Sequence, residues 1–169
     1  IHFPRATVPS IVFYNLHNCA AVHLIEADNS SYLCSNRKDS TYIYMKNIAE
    51  TYWKRKKMPI PHLLLSDYEG RNVWSHKGIV HWRGMNICMV TDGYWRNKSA
   101  TNLLDIDYMY LCKGYKGEIA PLQKLFHIKR IVLDASLGDY KSKAYKEECK
   151  TLGLDYIDIS EKGSFHILL

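Results

Sequence analysis

Short β-rich runs, giving way after Leu103 to strands alternating with helices, constrain this chain to sheets covered by helices. Ile11-Val12-Phe13-Tyr14, Ala20 to Glu26 and Ser31 to Cys34 have strand length, and Asn15 to Asn18 and Ala27-Asp28-Asn29-Ser30 break them. They read as an antiparallel meander. Ser40 offers a helix cap, and Met45, Ile48, Ala49 and Tyr52 recur at helical spacing until Pro59 closes the segment. Extended runs follow at Ile60 to Leu65, Asn72 to Ser75, Gly78 to Trp82 and Met85 to Thr91, with Arg83-Gly84 as a hairpin turn. Beyond Leu103 come a strand at Asp107 to Leu111, a helix near Pro121 with Ile119, Leu122, Leu125 and Phe126 on one face, and a strand at Lys129 to Leu133. A helix capped by Asp139, with Tyr145, Cys149 and Leu152 in register and Gly153 as its stop, leads to strands near Leu154 to Ile157 and Ser164 to Leu168. The predicted class is α/β of the α+β kind, a sandwich of mixed sheets under helices, as a single domain over residues 1–169.

Composition removes several alternatives. With 169 residues, 47% hydrophobic and 24% charged, the chain can bury a full core, which argues against disorder. No window approaches the roughly 18 uncharged apolar residues that span a bilayer, so no membrane insertion by this chain itself is expected. It begins at Ile1, and Ile1 to Arg5 resembles no signal peptide; a fragment of a longer protein is the expectation. The net charge of +6 suits a nucleic-acid partner, although composition alone favours a solvated basic surface, a reading that only a clustered patch would reverse. One cluster, Lys54-Arg55-Lys56-Lys57, ends the predicted helix, where cations also complement the helix dipole.

The candidate chemistry gathers at a strand end. Leu111 runs into Cys112-Lys113-Gly114-Tyr115-Lys116-Gly117, a glycine-rich loop placed where α/β proteins put their sites, offering a thiol, lysines and a tyrosine rather than metal ligands. The five cysteines lack any Cys-x-x-Cys and read as small core hydrophobes. None of the eight histidines forms His-x-His or His-Glu-x-x-His. His76 and His81, five apart, would take opposite faces of one straight strand. Nucleophile-elbow and Walker-type loops are missing, and Asp92 in Thr91-Asp92-Gly93 reads as a turn before it reads as a metal ligand.

The order of these motifs resembles the C-terminal soluble domain of ComEC-type competence proteins, the DNA-uptake membrane channels, in the shortened form of the Bacteroidetes group. Ile11 to Glu26 is similar to the family's opening strand pair, with Asn15-Leu16-His17-Asn18-Cys19 in place of Val-Gly-x-Gly-Asp. Met85 to Gly93 resembles the strand ending in Thr-Gly-Asp, which puts Asp92 at a metal-binding aspartate. Asp105 to Leu111 resembles the strand entering His-His-Gly, with Cys112 and Lys113 at the histidine positions. Ile131 to Ser136 and Ile159 to Phe165 resemble the closing strands and terminal turn. The resemblance implies a metallo-β-lactamase-like fold whose complete members gather two metals about 3.5–4 Å apart on His-x-His-x-Asp-His.

That ligand motif is absent from this sequence. The resemblance therefore implies a degenerate, noncatalytic domain with no metal and no cofactor, whose vestigial site positions are Asp92, Cys112 and Lys113. It implies an extracytoplasmic, periplasmic placement beside an inner membrane, with DNA and the remaining domains of the parent channel as partners. Lys113, Tyr115 and Lys116, with Lys54, Arg55, Lys56 and Lys57 as a second surface, are the candidate DNA contacts. Two alternatives stay open: a metal-dependent nuclease with atypical ligands drawn from Asp92, Asp134, His17 and His166, and a purely structural protein-interaction module.

Overall fold

The computed structural model describes residues 8–16, 19–35, 47, 50–51, 53–55, 57–64 and 67–169. One sheet is ordered β12-β1-β2-β3-β4, from Ser10–Phe13 (β1), Ala21–Ile25 (β2), Ser31–Ser35 (β3), His62–Leu64 (β4) and Phe165–Leu168 (β12). Its pairings are antiparallel except that β4 lies parallel to β3. The other is ordered β11-β10-β9-β8-β7-β6-β5, from Tyr68–Glu69 (β5), Val73–His76 (β6), Ile79–Trp82 (β7), Met85–Val90 (β8), Leu104–Leu111 (β9), Phe126–Leu133 (β10) and Asp155–Asp158 (β11). Here β5 to β8 form an antiparallel meander, and β8, β9, β10 and β11 are parallel neighbours. Parallel pairing requires crossovers. They include a 310 turn at Ala120–Lys124 and helix α1 at Asp139–Leu152; a short helix, α2 at Ile159–Lys162, leads towards β12.

Side-chain alternation along the strands makes three apolar layers. Between the sheets, Ile11, Phe13, Val22 and Leu24 meet Val80, Trp82, Met89, Tyr110 and Val132. On the far face of the larger sheet, Met109, Leu111, Ile131 and Leu133 pack with Leu122 of the 310 turn and with Tyr145 and Cys149 of α1. The far face of the smaller sheet packs Val12, Tyr14, Ala21 and Leu33 around Trp53. Trp53 belongs to a helical stretch with Asn47, Glu50, Thr51, Lys54 and Arg55. The result is the expected α+β sandwich, with helix on the outside of each sheet. The sheets are also tied across: Trp82 Nε1 donates to Glu26 Oε1 at 2.6 Å and Arg83 pairs with Glu26 Oε2 at 3.0 Å.

Several expectations need correction. The predicted helix near Pro121 is a five-residue 310 turn, and Phe126 opens β10 because its pairing with Leu104 extends the parallel ladder. Asp139 lies in the first turn of α1, with Gly138 as the N-cap. β9 and β10 each begin three residues earlier than expected. Their charged starts hid them, yet those charges pair across the strands, His127 with Asp105 at 3.0 Å and Lys129 with Asp107 at 3.2 Å. His76 and His81 occupy two strands rather than one, because Lys77-Gly78 turns the chain between them. His76 bonds Asp67 at 2.9 Å, and His81 bonds Asn86 at 2.7 Å and stacks on Trp74. Ser40, Met45, Ile48, Ala49 and Tyr52 of the predicted helix lie outside the described residues.

The Arg83-Gly84 hairpin is as read, and its geometry explains the residues. Both central positions have positive φ, 50° and 74°, the type I′ turn whose twist matches the flanking strands. A Cβ on Gly84 would meet nothing within 4 Å, so alanine there carries only the backbone penalty. Gly84→Ala is expected to lower unfolding stability by about 1 kcal/mol in urea titration.

Candidate functional site

Because β8 to β11 are parallel, their carboxyl ends share one edge of the sandwich, the place where open α/β sheets collect functional groups. Cys112, just beyond β9, donates its N–H to the Val90 carbonyl at 3.0 Å, and Asp134, just beyond β10, donates its own to Leu111 at 3.0 Å. The β1–β2 connection reaches the same edge. Phe13 meets Tyr110 edge-on at 5.1 Å, and the charge of Asp134 acts on the thiols of both Cys19 and Cys112. Cys19, Tyr110, Cys112 and Asp134 are all sealed from solvent.

This buried group is internally satisfied. The Tyr110 hydroxyl donates to Asp134 Oδ1, and the Ser136 N–H donates to Asp134 Oδ2 at 3.0 Å. Burial holds the Asp134 carboxyl above the ordinary carboxylate range. Burial, reinforced by Asp134, pushes the Cys19 thiol up to about 11 and the Cys112 thiol well above its usual value. Both thiols therefore stay protonated at neutral pH, without the thiolate that nucleophilic attack needs.

Around this cluster the loops are exposed. Asp92 is open to solvent and accepts the Tyr94 N–H at 2.9 Å, a local turn. It follows β8 and Asp134 follows β10, which separates them by two strand spacings, roughly 10 Å. Lys113 and Lys116 are exposed, and the Lys113 N–H donates to Ser136 Oγ at 3.1 Å. Gly114 sits at φ 107°, with the Thr91 carbonyl where its Cβ would be. Tyr115 is only 6% exposed, its ring in the core and its hydroxyl on the Glu118 carbonyl at 2.6 Å. A ring buried in this way is not presented for base stacking, so Tyr115 leaves the set of expected contacts. Lys54, Arg55 and Lys57 are exposed on the layer outside the smaller sheet; Lys56 lies outside the described residues.

Residues named for an atypical metal centre are not brought together. His166 is exposed on β12 opposite Val12, Asp134 is buried, Asp92 is in its turn, and His17 lies outside the described residues. Among the described residues no group of three or more His, Cys, Asp or Glu side chains is placed to hold a metal ion.

Sequence reading missed the loop after β8. Tyr94 is 39% exposed, Lys98 Nζ stands 4.2 Å and Lys77 Nζ 5.4 Å from its ring centroid, and Trp95 meets it edge-on at 4.7 Å. A groove of about 340 Å³ opens beside it, lined among others by Ser35, Asp67, Lys77, Thr91 and Tyr94. The available signal was Tyr94-Trp95-Arg96-Asn97-Lys98, aromatics interleaved with cations directly after a buried strand.

The family model described as the ComEC C-terminal domain matches residues 11–169, from the second residue of β1 to beyond β12. The chain belongs to this family. No curated protein and no solved structure matches it. A ComEC C-terminal domain has its role in competence DNA uptake, within a ComEC-type membrane protein. Among the described residues of this ComEC domain no helix is long and apolar enough to cross a membrane. The match spans the buried strand-end cluster and the exposed loops around it alike.

Proposed function

We propose that this ComEC C-terminal domain is a noncatalytic, extracytoplasmic module of a DNA-uptake channel that handles DNA at the parallel-strand edge. In this reading the fold is a degenerate metallo-β-lactamase-like sandwich that has lost its metal site. The supporting observation is the internal commitment of the strand-end side chains. Asp134 is engaged by Tyr110 and Ser136, Cys112 is sealed in the core, and Asp92 is engaged by its own turn. The described residues at the strand ends do not fit a two-metal centre, which needs ionised donors converging on ions about 3.5–4 Å apart. Lys113 and Lys116 are accessible there on a glycine turn, with Asp92 and Glu118 exposed nearby, and cations of this kind hold phosphate without a metal.

Metal content of the purified chain, measured with cleavage of a labelled DNA strand in zinc, manganese or magnesium, tests the noncatalytic part. The expected result is neither stoichiometric metal nor cleavage. Near one equivalent of metal per chain together with cleavage would overturn it. Titration with DNA across salt concentration tests the DNA-handling part, for which affinity should fall steeply as salt rises. Absence of any salt-dependent binding would leave docking on the rest of the channel as the role.

A further inference from the structure

We propose that the corner where β4, the outer strand of the smaller sheet, meets β5, the outer strand of the larger, receives an arginine side chain of a partner protein, with Tyr32, His62 and Tyr68 as ring walls and Asp28 as the carboxylate. This corner shares no lining residue with the groove beside Tyr94, and the inference does not depend on DNA handling.

The strand register builds the walls. β3 and β4 are parallel, with Tyr32 opposite His62, and these two rings meet edge-on at 6.2 Å and 72°. Tyr68, the first residue of β5, approaches the same imidazole at 4.8 Å and 45°. The three rings are therefore inclined to one another and enclose a corner instead of offering one flat platform. Pro59 and Ile60, just before β4, add an apolar wall, and Ile60 is 76% exposed. A hollow of about 430 Å³ lies between these residues and the β2–β3 turn.

The turn supplies the charge. Asp28 Oδ1 accepts both the Ser30 N–H at 2.9 Å and the Ser30 hydroxyl at 2.6 Å. Those bonds hold the carboxyl below the ordinary carboxylate range, so it is ionised at neutral pH. Among the described residues no cation pairs with Asp28. Glu26, by contrast, is committed to Trp82 and Arg83. Burial first, and then Glu26, Tyr68 and Asp28, hold the Tyr32 hydroxyl above its ordinary value, so the carboxylates act on this corner electrostatically.

An unpaired carboxylate beside inclined ring faces selects a cation, because the face of an aromatic ring is its negative part. Guanidinium fits better than ammonium: it is planar, weakly hydrated, and stacks on a ring while donating to an oxygen. The same combination already occurs within the molecule, where Arg83 lies 5.8 Å from the Trp82 ring centroid and pairs with Glu26 at 3.0 Å. A phosphate or a nucleic acid would meet Asp28 as a like charge.

The test is a titration of the 169-residue chain with acetyl-arginine amide, followed by backbone amide NMR at pH 8, where histidine side chains are neutral. Saturable shifts are expected at Asp28 to Tyr32, His62 and Tyr68, with a millimolar dissociation constant. The uncharged isostere acetyl-citrulline amide should give none, and acetyl-lysine amide should bind more weakly. Asp28→Asn keeps an oxygen for both Ser30 donors and should weaken arginine binding about 2- to 5-fold. His62→Ala should weaken it by about the same factor, and His62→Phe should restore it, since the ring rather than the imidazole nitrogens is used. Citrulline binding like arginine, an Asp28→Asn variant that binds like wild type, or no saturable shift at this corner would overturn the inference. Lysine binding as tightly as arginine would overturn the guanidinium assignment, and free arginine binding much more tightly than the capped form would make this a small-molecule site instead. Asp28 and His62 are exposed, and thermal melting of each variant separates lost binding from lost folding. Each of these results leaves the DNA titration above unaffected.

Discussion

Gly114→Ala should reduce unfolding stability by about 2–4 kcal/mol, enough to move a urea midpoint well outside error. Two independent effects combine at this position. Its φ of 107° is one that residues with a Cβ rarely adopt, and the added carbon would overlap the Thr91 carbonyl oxygen. That oxygen is backbone at the end of β8, so relief requires the strand end or the 113–117 loop to move. Gly84→Ala is the internal control, since it also has positive φ but meets open space. A midpoint shift no larger than the Gly84→Ala shift would mean that the two loops part freely. In that case the 113–117 loop would not be held against the end of β8.

Acid should destabilise the fold through His23 well before its carboxylates titrate. His23 lies on β2 with no exposed surface, between the Tyr14 ring and Trp53, and its Nδ1 shares a 2.6 Å hydrogen bond with the Tyr14 hydroxyl. Its Nε2 has no hydrogen-bond partner among the described residues, so a proton gained there would be buried without a partner from them. Burial lowers its pKa from 6.5 to about 4. Below pH 6.5 the unfolded chain takes up a proton that the folded chain refuses, so stability is complete above that value and declines as pH falls to about 4. The loss attributable to this group is about 3 kcal/mol. Asp134 works in the opposite sense: with its pKa raised, its contribution is present below the ordinary value of 3.8 and is lost as pH rises through the folded one. Comparing urea midpoints of wild type and His23→Phe near neutrality and near pH 4 isolates the histidine. The variant keeps the Trp53 Nε1 donor to Tyr14 at 3.4 Å, and its profile should be flat where wild type slopes. Parallel profiles would mean that water reaches His23.

The elements legible in sequence were those whose apolar pattern also marks their ends. Met85 to Val90 was readable because an I′ turn precedes it and an Asp-Gly turn follows; α1 was readable from Tyr145, Cys149 and the Gly153 stop. β5 has two residues and carries no period. α2 has four, and its signal was a cap: Asp158 accepts the Ser160 N–H at 2.9 Å, with Glu161 three residues on. The starts of β9 and β10 keep a period-two pattern, Leu104-Asp105-Ile106-Asp107 and Phe126-His127-Ile128-Lys129, but their polar positions are charged, and only the cross-strand pairs show why charge is tolerated inside a ladder. For the site, the strand end at Cys112 was visible, but its meaning was not. Contact between the Cys19 and Asp134 neighbourhoods depends on how two sheets stack, a long-range fact that no local spacing contains. Tyr115 looked available because a glycine-rich loop reads as exposed; the core beneath β9 had room for its ring and took it.

β12 joins the smaller sheet at β1, with Ser10 opposite Leu168 and Phe13 opposite Phe165. The sheet that uses the first strand of the described residues is therefore finished by the last of them. While the chain emerges from the ribosome, β1 has an open edge until residues 165–168 are made, and an unpaired edge is a template for the wrong neighbour. Closing a loop this long raises the contact order and delays the final pairing. During synthesis the larger sheet, whose strands all lie between residues 68 and 158, can assemble first and serve as the platform on which the smaller one closes.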